Sequence, residues 1–220
     1  MKGGCRMPVK AVVFDMDGTI LHTLPDLVAA ANETFARLGY PARTEAEALA
    51  CMGSGGRHLV QKLMPAGCTR AEGERAFQMW RDIYIACDYA GTKPFPGIVE
   101  ALHELRARGV ATAVLSNKFD AGVQALAERF FDGLFDLVRG EVPPAPRKPD
   151  PTVLLDMLAE LGVRPSEAAY VGDTVVDAQV ARNAGVLAVG VSWGYDKTEP
   201  LPRDELDAYL CDPAELLALV

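Results

Sequence analysis

From Ile98 onward, short apolar runs alternate with segments of helical period, and that alternation constrains the fold more than any other feature of the chain. The pattern predicts a helix from about Ile98 to Arg108, closed by Gly109, then a strand from Val110 to Leu115. A helix over about Ala121 to Phe130 and a short strand near Phe135 to Val138 follow. After the proline-rich loop from Pro143 to Pro149, Asp150-Pro151 reads as an N-cap with proline at the first helical position. That helix ends at Gly162. Strands at Ala169 to Val171 and Leu187 to Val191 flank a helix over Asp177 to Asn183, and Pro213 to Leu219 reads as a last short helix. Strands separated by helices form a parallel sheet with helices on both faces.

The first part of the chain reads differently. A strand from Lys10 to Phe14 is followed by apolar Leu24, Leu27, Val28, Ala31, Phe35 and Leu38, one face of a helix that Gly39 stops. Residues 40 to 90 carry more helical pattern and no clear strand, and Thr69 with Glu72 has the spacing of a capping box that opens a helix through about Tyr89. Lys93-Pro94-Phe95-Pro96-Gly97 then breaks the chain. The expected fold is α/β, a Rossmann-like parallel-sheet core made of residues 1–22 and 93–220. A small α-helical cap, residues 23–92, is inserted into it. Residues before Met7 read as a dispensable extension.

The strand ending at Phe14 runs directly into Asp15-Met16-Asp17-Gly18-Thr19. Residues two apart on an extended segment share a side. Like charges that close repel, so one carboxyl tends to hold a proton while the other stays ionised. The pair thus supplies a nucleophile and a general acid/base, and its oxygens suit a hard divalent cation. A plain surface turn is the bland alternative. A calcium loop is excluded: Asp26 stands where its terminal glutamate belongs, and Ile20, Leu21 and Leu24 are apolar.

Other polar groups fall at the same end of the expected sheet, where open parallel sheets bind ligands. Ser116-Asn117-Lys118 follow Leu115, and Gly172-Asp173-Thr174 follow Val171, with Asp177 one helical turn on. Lys148 lies in the proline-rich loop. Asp15, Asp17 and Asp173 can hold one magnesium ion. Ser116 and nearby backbone N–H groups can bind phosphate at a helix start, and Lys148 can neutralise charge. Together they have the parts of a phosphoryl-transfer site. The bland readings are helix caps for Ser116 and Asp177, and a solvated surface lysine for Lys148.

These four motifs in this order resemble the haloacid dehalogenase superfamily of phosphatases, and within it the phosphoglycolate phosphatase branch with its inserted helical cap. Pro96-Gly97, Ser116-Asn117-Lys118, Lys148-Pro149-x-Pro151 and Gly194-Tyr195 carry the closer match. The family usually has an acidic residue where this chain has His22. The resemblance implies that Asp15 attacks phosphorus to form an aspartyl-phosphate. Asp17 protonates the leaving oxygen and then activates water. Asp15, the Asp17 carbonyl and Asp173 ligate Mg2+, with Asp177 behind them. Lys148 completes the catalytic set, and Thr19, Ser116 and Asn117 are expected at the substrate phosphate.

In the cap, Gly53-Ser54-Gly55-Gly56 reads as a loop facing the site, with Gly55, Arg57 and His58 as candidate specificity residues. Expected partners are a small phosphorylated metabolite, with the protein a monomer or homodimer. The net charge of -8 disfavours nucleic-acid binding. No apolar run approaches the roughly 18 residues of a membrane span, and the N-terminus lacks a signal peptide's apolar region. Five scattered cysteines without a Cys-x-x-Cys fit reduced thiols in the cytoplasm. Phosphomutase, inorganic pyrophosphatase and sugar-phosphate phosphatase activities would use the same site. A phospho-accepting signalling module is the alternative from another class, but there the acidic pair and the acceptor come from different strands.

Overall fold

The computed structural model describes residues 8–195 and 200–220, so the expected extension before Met7 lies outside the described residues. In chain order the elements are β1 (Ala11–Phe14), β2 (Leu21–His22), α1 (Leu24–Leu38), α2 (Glu45–Leu49), α3 (Gly55–Leu63) and α4 (Arg70–Ala86). There follow β3 (Lys93–Pro94), α5 (Ile98–Ala107), β4 (Ala111–Phe119), α6 (Asp120–Phe131), β5 (Leu137–Glu141) and α7 (Thr152–Glu160). The chain ends with β6 (Ala168–Gly172), α8 (Val175–Ala184), β7 (Leu187–Val191) and β8 (Ala208–Leu210).

Six strands form one sheet in the order β5-β4-β1-β6-β7-β8, every neighbouring pair parallel. β1 is central and wholly buried, and its side chains alternate between two cores. Ala11 and Val13 face Leu154, Met157, Val180 and Ala181 of α7 and α8. Val12 and Phe14 face Ile98, Leu102, Leu105, Val123 and Leu126 of α5 and α6. A strand covered on both faces cannot afford polar positions, which explains why β1 reads as an unbroken apolar run.

Helices α1 to α4 lie between β2 and β3 and add no strand to the sheet. The chain leaves and returns through one antiparallel ribbon, with Leu21 opposite Pro94 and His22 opposite Lys93. The Asp26 carboxylate fastens the return by accepting from the Gly91 N–H and the Thr92 hydroxyl. Leu24, Leu27, Val28, Ala31 and Phe35 are buried, as the helical spacing predicts. Trp80 of α4 is fully buried and donates its indole N–H to the Leu27 carbonyl at 3.2 Å. The Thr69–Glu72 capping box opens α4 as expected.

Several boundaries differ from the sequence reading. α4 stops at Ala86, short of Tyr89, which has φ +52°. β4 runs on through Ser116-Asn117-Lys118 to Phe119, because those polar residues are buried and the strand still pairs with β5 at Phe119–Glu141. β5 starts two residues and ends three residues later than expected, and β8 was not foreseen. α7 starts after Asp150, whose carboxylate accepts the Thr152 N–H at 2.9 Å, with Pro151 in the cap position. The last segment is a 3-10 helix, Pro213–Ala218.

The start of β1 is pinned electrostatically. Buried Glu167 takes Arg164 at 2.9 Å and Lys10 at 2.7 Å, and these partners hold its carboxyl at about 2. A depressed folded-state pKa stabilises the fold above the unfolded value and loses that contribution as pH falls through the folded one. Urea unfolding of wild type and Glu167→Gln should therefore show a constant stability gap above about pH 4.5 that closes toward pH 2. A gap unchanged across that window would remove the clamp's role.

Candidate active site

The three central strands deliver the polar residues. Asp15 continues β1, its N–H donating to the Val171 carbonyl of β6 at 2.9 Å. Asp173 follows β6, and Ser116 lies in β4 on the other side of β1. The loop after Asp15 then turns sharply, with the Met16 carbonyl accepting from Ile20 at 3.1 Å and Leu21 at 3.0 Å. Gly18 at this turn has φ +86°, and a Cβ there would fall on the Asp173 carboxylate.

Asp15, Asp173 and Asp177 are buried, and each offers an oxygen within 4.8 Å of the other two. Lys148 reaches into the cluster. Its Nζ lies 2.7 Å from Asp177 Oδ1 and 2.9 Å from Asp15 Oδ1, and donates to the Tyr170 hydroxyl at 2.7 Å. Tyr170 passes the chain on by donating to the Leu115 carbonyl. Burial alone would depress the Lys148 ammonium, but the charges of Asp15 and Asp177 outweigh it and hold it well above its usual value.

One ammonium is too little for this much negative charge. Burial pushes the Asp15 carboxyl up to about 6 despite Lys148, with Asp177 and Asp17 adding to the rise. Burial and the charges of Asp177 and Asp15 push Asp173 well above the carboxylate range. Asp15 Oδ1 is buried and has no hydrogen-bond donor; Lys148 supplies charge there without hydrogen-bond geometry. A hard divalent cation satisfies all three conditions, so the residues fit one.

Asp173 is held from two sides. The Thr19 hydroxyl donates to its Oδ1 at 2.8 Å and the Tyr195 N–H to its Oδ2 at 2.7 Å. Thr19, expected at the substrate phosphate, thus turns its hydroxyl toward Asp173. Asp177 is not the N-cap of α8; Thr174 is. The Asp177 Oδ2 accepts from the Thr174 N–H and hydroxyl, which leaves Oδ1 for Lys148. Ser116 is likewise no helix cap, since it sits within β4, and its hydroxyl accepts the Lys118 N–H at 3.3 Å. Asn117 donates to the Lys148 carbonyl at 3.1 Å, tying that loop to β4, and its buried Oδ1 has no partner.

Asp17 stands on the cavity side of the cluster. It accepts from the Thr23 hydroxyl at 2.7 Å and from Lys118 Nζ at 3.0 and 3.1 Å. The cavity beyond is lined by Asp15, Ser116 and Lys118 below and by Leu27, Met52, Leu59 and Trp80 of the helical segment above. Gly55 and Gly56 also line it, at the first turn of α3 rather than in a loop. A Cβ on Gly55 would come 2.7 Å from the Asn117 carbonyl, so only glycine allows the two segments to approach this closely. Arg57 and His58 do not line it. Arg57 instead pairs with Glu74 over the Phe77 ring.

The family model for haloacid dehalogenase-like hydrolases matches residues 12–191. The chain belongs to that family. A phosphoglycolate phosphatase from Thiobacillus denitrificans is 32% identical over 97% of this chain and 96% of its own length. One from Rhodospirillum rubrum is 36% identical, over 87% and 83%. Among solved structures, CbbY from Rhodobacter sphaeroides in complex with phosphate superposes with a TM-score of 0.77 at 27% identity, covering 96% of this chain and 98% of that one. The likeness to these proteins spans sheet and helical segment together.

Lys118, Thr23 and Tyr195 were not among the site residues expected from sequence. The readable signal for Lys118 was a lysine immediately after Ser-Asn at the polar end of an apolar run. Thr23 and Tyr195 act over long range: the Tyr195 hydroxyl accepts the N–H groups of Thr23 at 2.9 Å and Leu24 at 3.1 Å. No local pattern marks such contacts.

Gly18→Ala should destabilise the protein by about 1–3 kcal/mol, the cost of left-handed backbone plus a crowded buried carboxylate. Urea unfolding checks this, and a loss below a few tenths would contradict the close packing of the turn on Asp173.

Proposed function

We propose that this protein is a Mg2+-dependent phosphoric monoester hydrolase acting on a small phosphorylated metabolite, 2-phosphoglycolate first among candidates. The observation that carries the reading is Asp17 placed two residues after Asp15, on the cavity side, beside a buried three-carboxylate cluster that fits a cation. The relatives named as phosphoglycolate phosphatases support the substrate. The division of labour follows the expected domains, with residues 1–22 and 93–220 performing the chemistry and residues 23–92 closing over it.

Asp15, Asp173 and the Asp17 carbonyl would hold Mg2+, which supplies positive charge to the transferring phosphoryl oxygens. Asp15 attacks phosphorus as its bond to the leaving oxygen breaks, and Asp17 gives that oxygen a proton. Asp17 then takes a proton from the water that attacks the aspartyl-phosphate, releasing phosphate and restoring Asp15. Ser116 binds a phosphoryl oxygen from the β4 side. Lys148 keeps Asp15 oriented and offsets the charge gathering around it. Thr19 and Asp177 act by fixing Asp173 and Lys148. The helical roof of Met52, Leu59 and Trp80 limits bulk water at the intermediate.

Phosphate release from 2-phosphoglycolate, pyrophosphate, hexose phosphates and nucleotides, with Mg2+ and with EDTA, tests the reading. Turnover should require Mg2+ and be highest with 2-phosphoglycolate, and Asp15→Asn should abolish it while unfolding at the same urea concentration or higher. Undiminished turnover in Asp15→Asn would overturn the nucleophile.

A further inference from the structure

We propose that Lys118 selects the leaving group by binding a second negative charge carried close to the transferred phosphoryl group. The proposal rests on the phosphatase reading above and names what the cavity recognises.

The side chain of Lys118 is 2% exposed, yet its ammonium faces the cavity. Among the described residues it is the only cationic side chain in the lining; Lys148 lies behind Asp15, held by Asp15, Asp177 and Tyr170. Its Nζ stands 4.4 Å from the centre of the Tyr84 ring, which holds it from above. Its one carboxylate contact is Asp17, the group that handles the leaving oxygen. An atom one or two bonds from that oxygen therefore lies within reach of the same ammonium. Much of the remaining wall is apolar, formed by Leu27, Met52, Leu59 and Trp80, with Ser116 and Asn117 as neutral polar side chains. The N-terminus of α3, at Gly55 and Gly56, opens on the same cavity and adds the positive end of a helix dipole.

A buried ammonium must keep a counter-charge. A neutral leaving group leaves it on Asp17 alone, whereas an anionic one gains a charge-assisted hydrogen bond in a water-poor cavity. The favoured substrates are thus small phosphomonoesters with a carboxylate, or a second phosphate, near the ester oxygen. Arg57 and His58 do not line this cavity.

The test compares kcat/KM for 2-phosphoglycolate with that for 2-hydroxyethyl phosphate, a neutral analogue of similar size, in wild type and Lys118→Met. Wild type should favour the anionic substrate on the order of 10²-fold, as a desolvated charge pair supplies. Both rates should fall in Lys118→Met, because Asp17 loses a contact, but their ratio should drop to near unity. No preference in wild type, or a ratio that survives the substitution, would overturn the proposal. Should Lys118→Met not fold, wild type still decides. Glycolate should inhibit hydrolysis of 2-hydroxyethyl phosphate competitively and ethylene glycol should not, and failure of glycolate to inhibit would overturn it. Wild type inert toward both esters would instead remove the phosphatase reading itself.

Discussion

The ammonium of Lys148, buried between Asp15 and Asp177, is the contact on which the rest of the site depends. β1 and β6 are adjacent, so their ends bring Asp15 and Asp173 together, and α8 adds Asp177. Carboxylates crowded without water repel, and each removal of a counter-charge is costly. Lys148 offsets part of that repulsion from a loop that Asn117 fastens to β4. What it leaves uncompensated shows in the upward displacement of Asp15 and Asp173. That excess of negative charge suits the cluster to a divalent cation.

The second organising fact is the ribbon of β2 and β3, through which the chain enters and leaves the helical segment. Tyr195, whose N–H holds Asp173, also caps the start of α1 with its hydroxyl. One residue therefore joins the carboxylate-bearing end of the sheet to the base of the roof. Gly55 at the start of α3 lets that roof approach Asn117 closely. The carboxylate cluster and the helices above it come from different parts of the chain, joined by the ribbon, by these hydrogen bonds and by Phe119 packed against Trp80 and Tyr84.

How much of this the sequence discloses follows from burial. β1, β6 and β7 are covered on both faces, so they read as apolar runs and were placed to within a residue or two. The sequence pattern ends β4 at Leu115 because Ser116, Asn117 and Lys118 are polar; they stay in the strand, buried, and the pairing with β5 resumes at Phe119. β8 is a three-residue edge strand and carries too little pattern to see. Asp177 was legible as a site residue but not as the third residue of a capping box with Thr174. The tether of Thr23 to Asp17 and the hold of Tyr195 on Asp173 join residues brought near only by folding.

Asp15 is proposed to carry the phosphoryl group during turnover. Mixing the enzyme with 2-phosphoglycolate and Mg2+, quenching in acid within the first turnovers and mapping the modified peptide by mass spectrometry tests it most directly. The account predicts one phosphoryl group, on Asp15, that disappears as substrate is exhausted. Steady phosphate release with no phosphoryl group on Asp15, or with one on another residue, would contradict it.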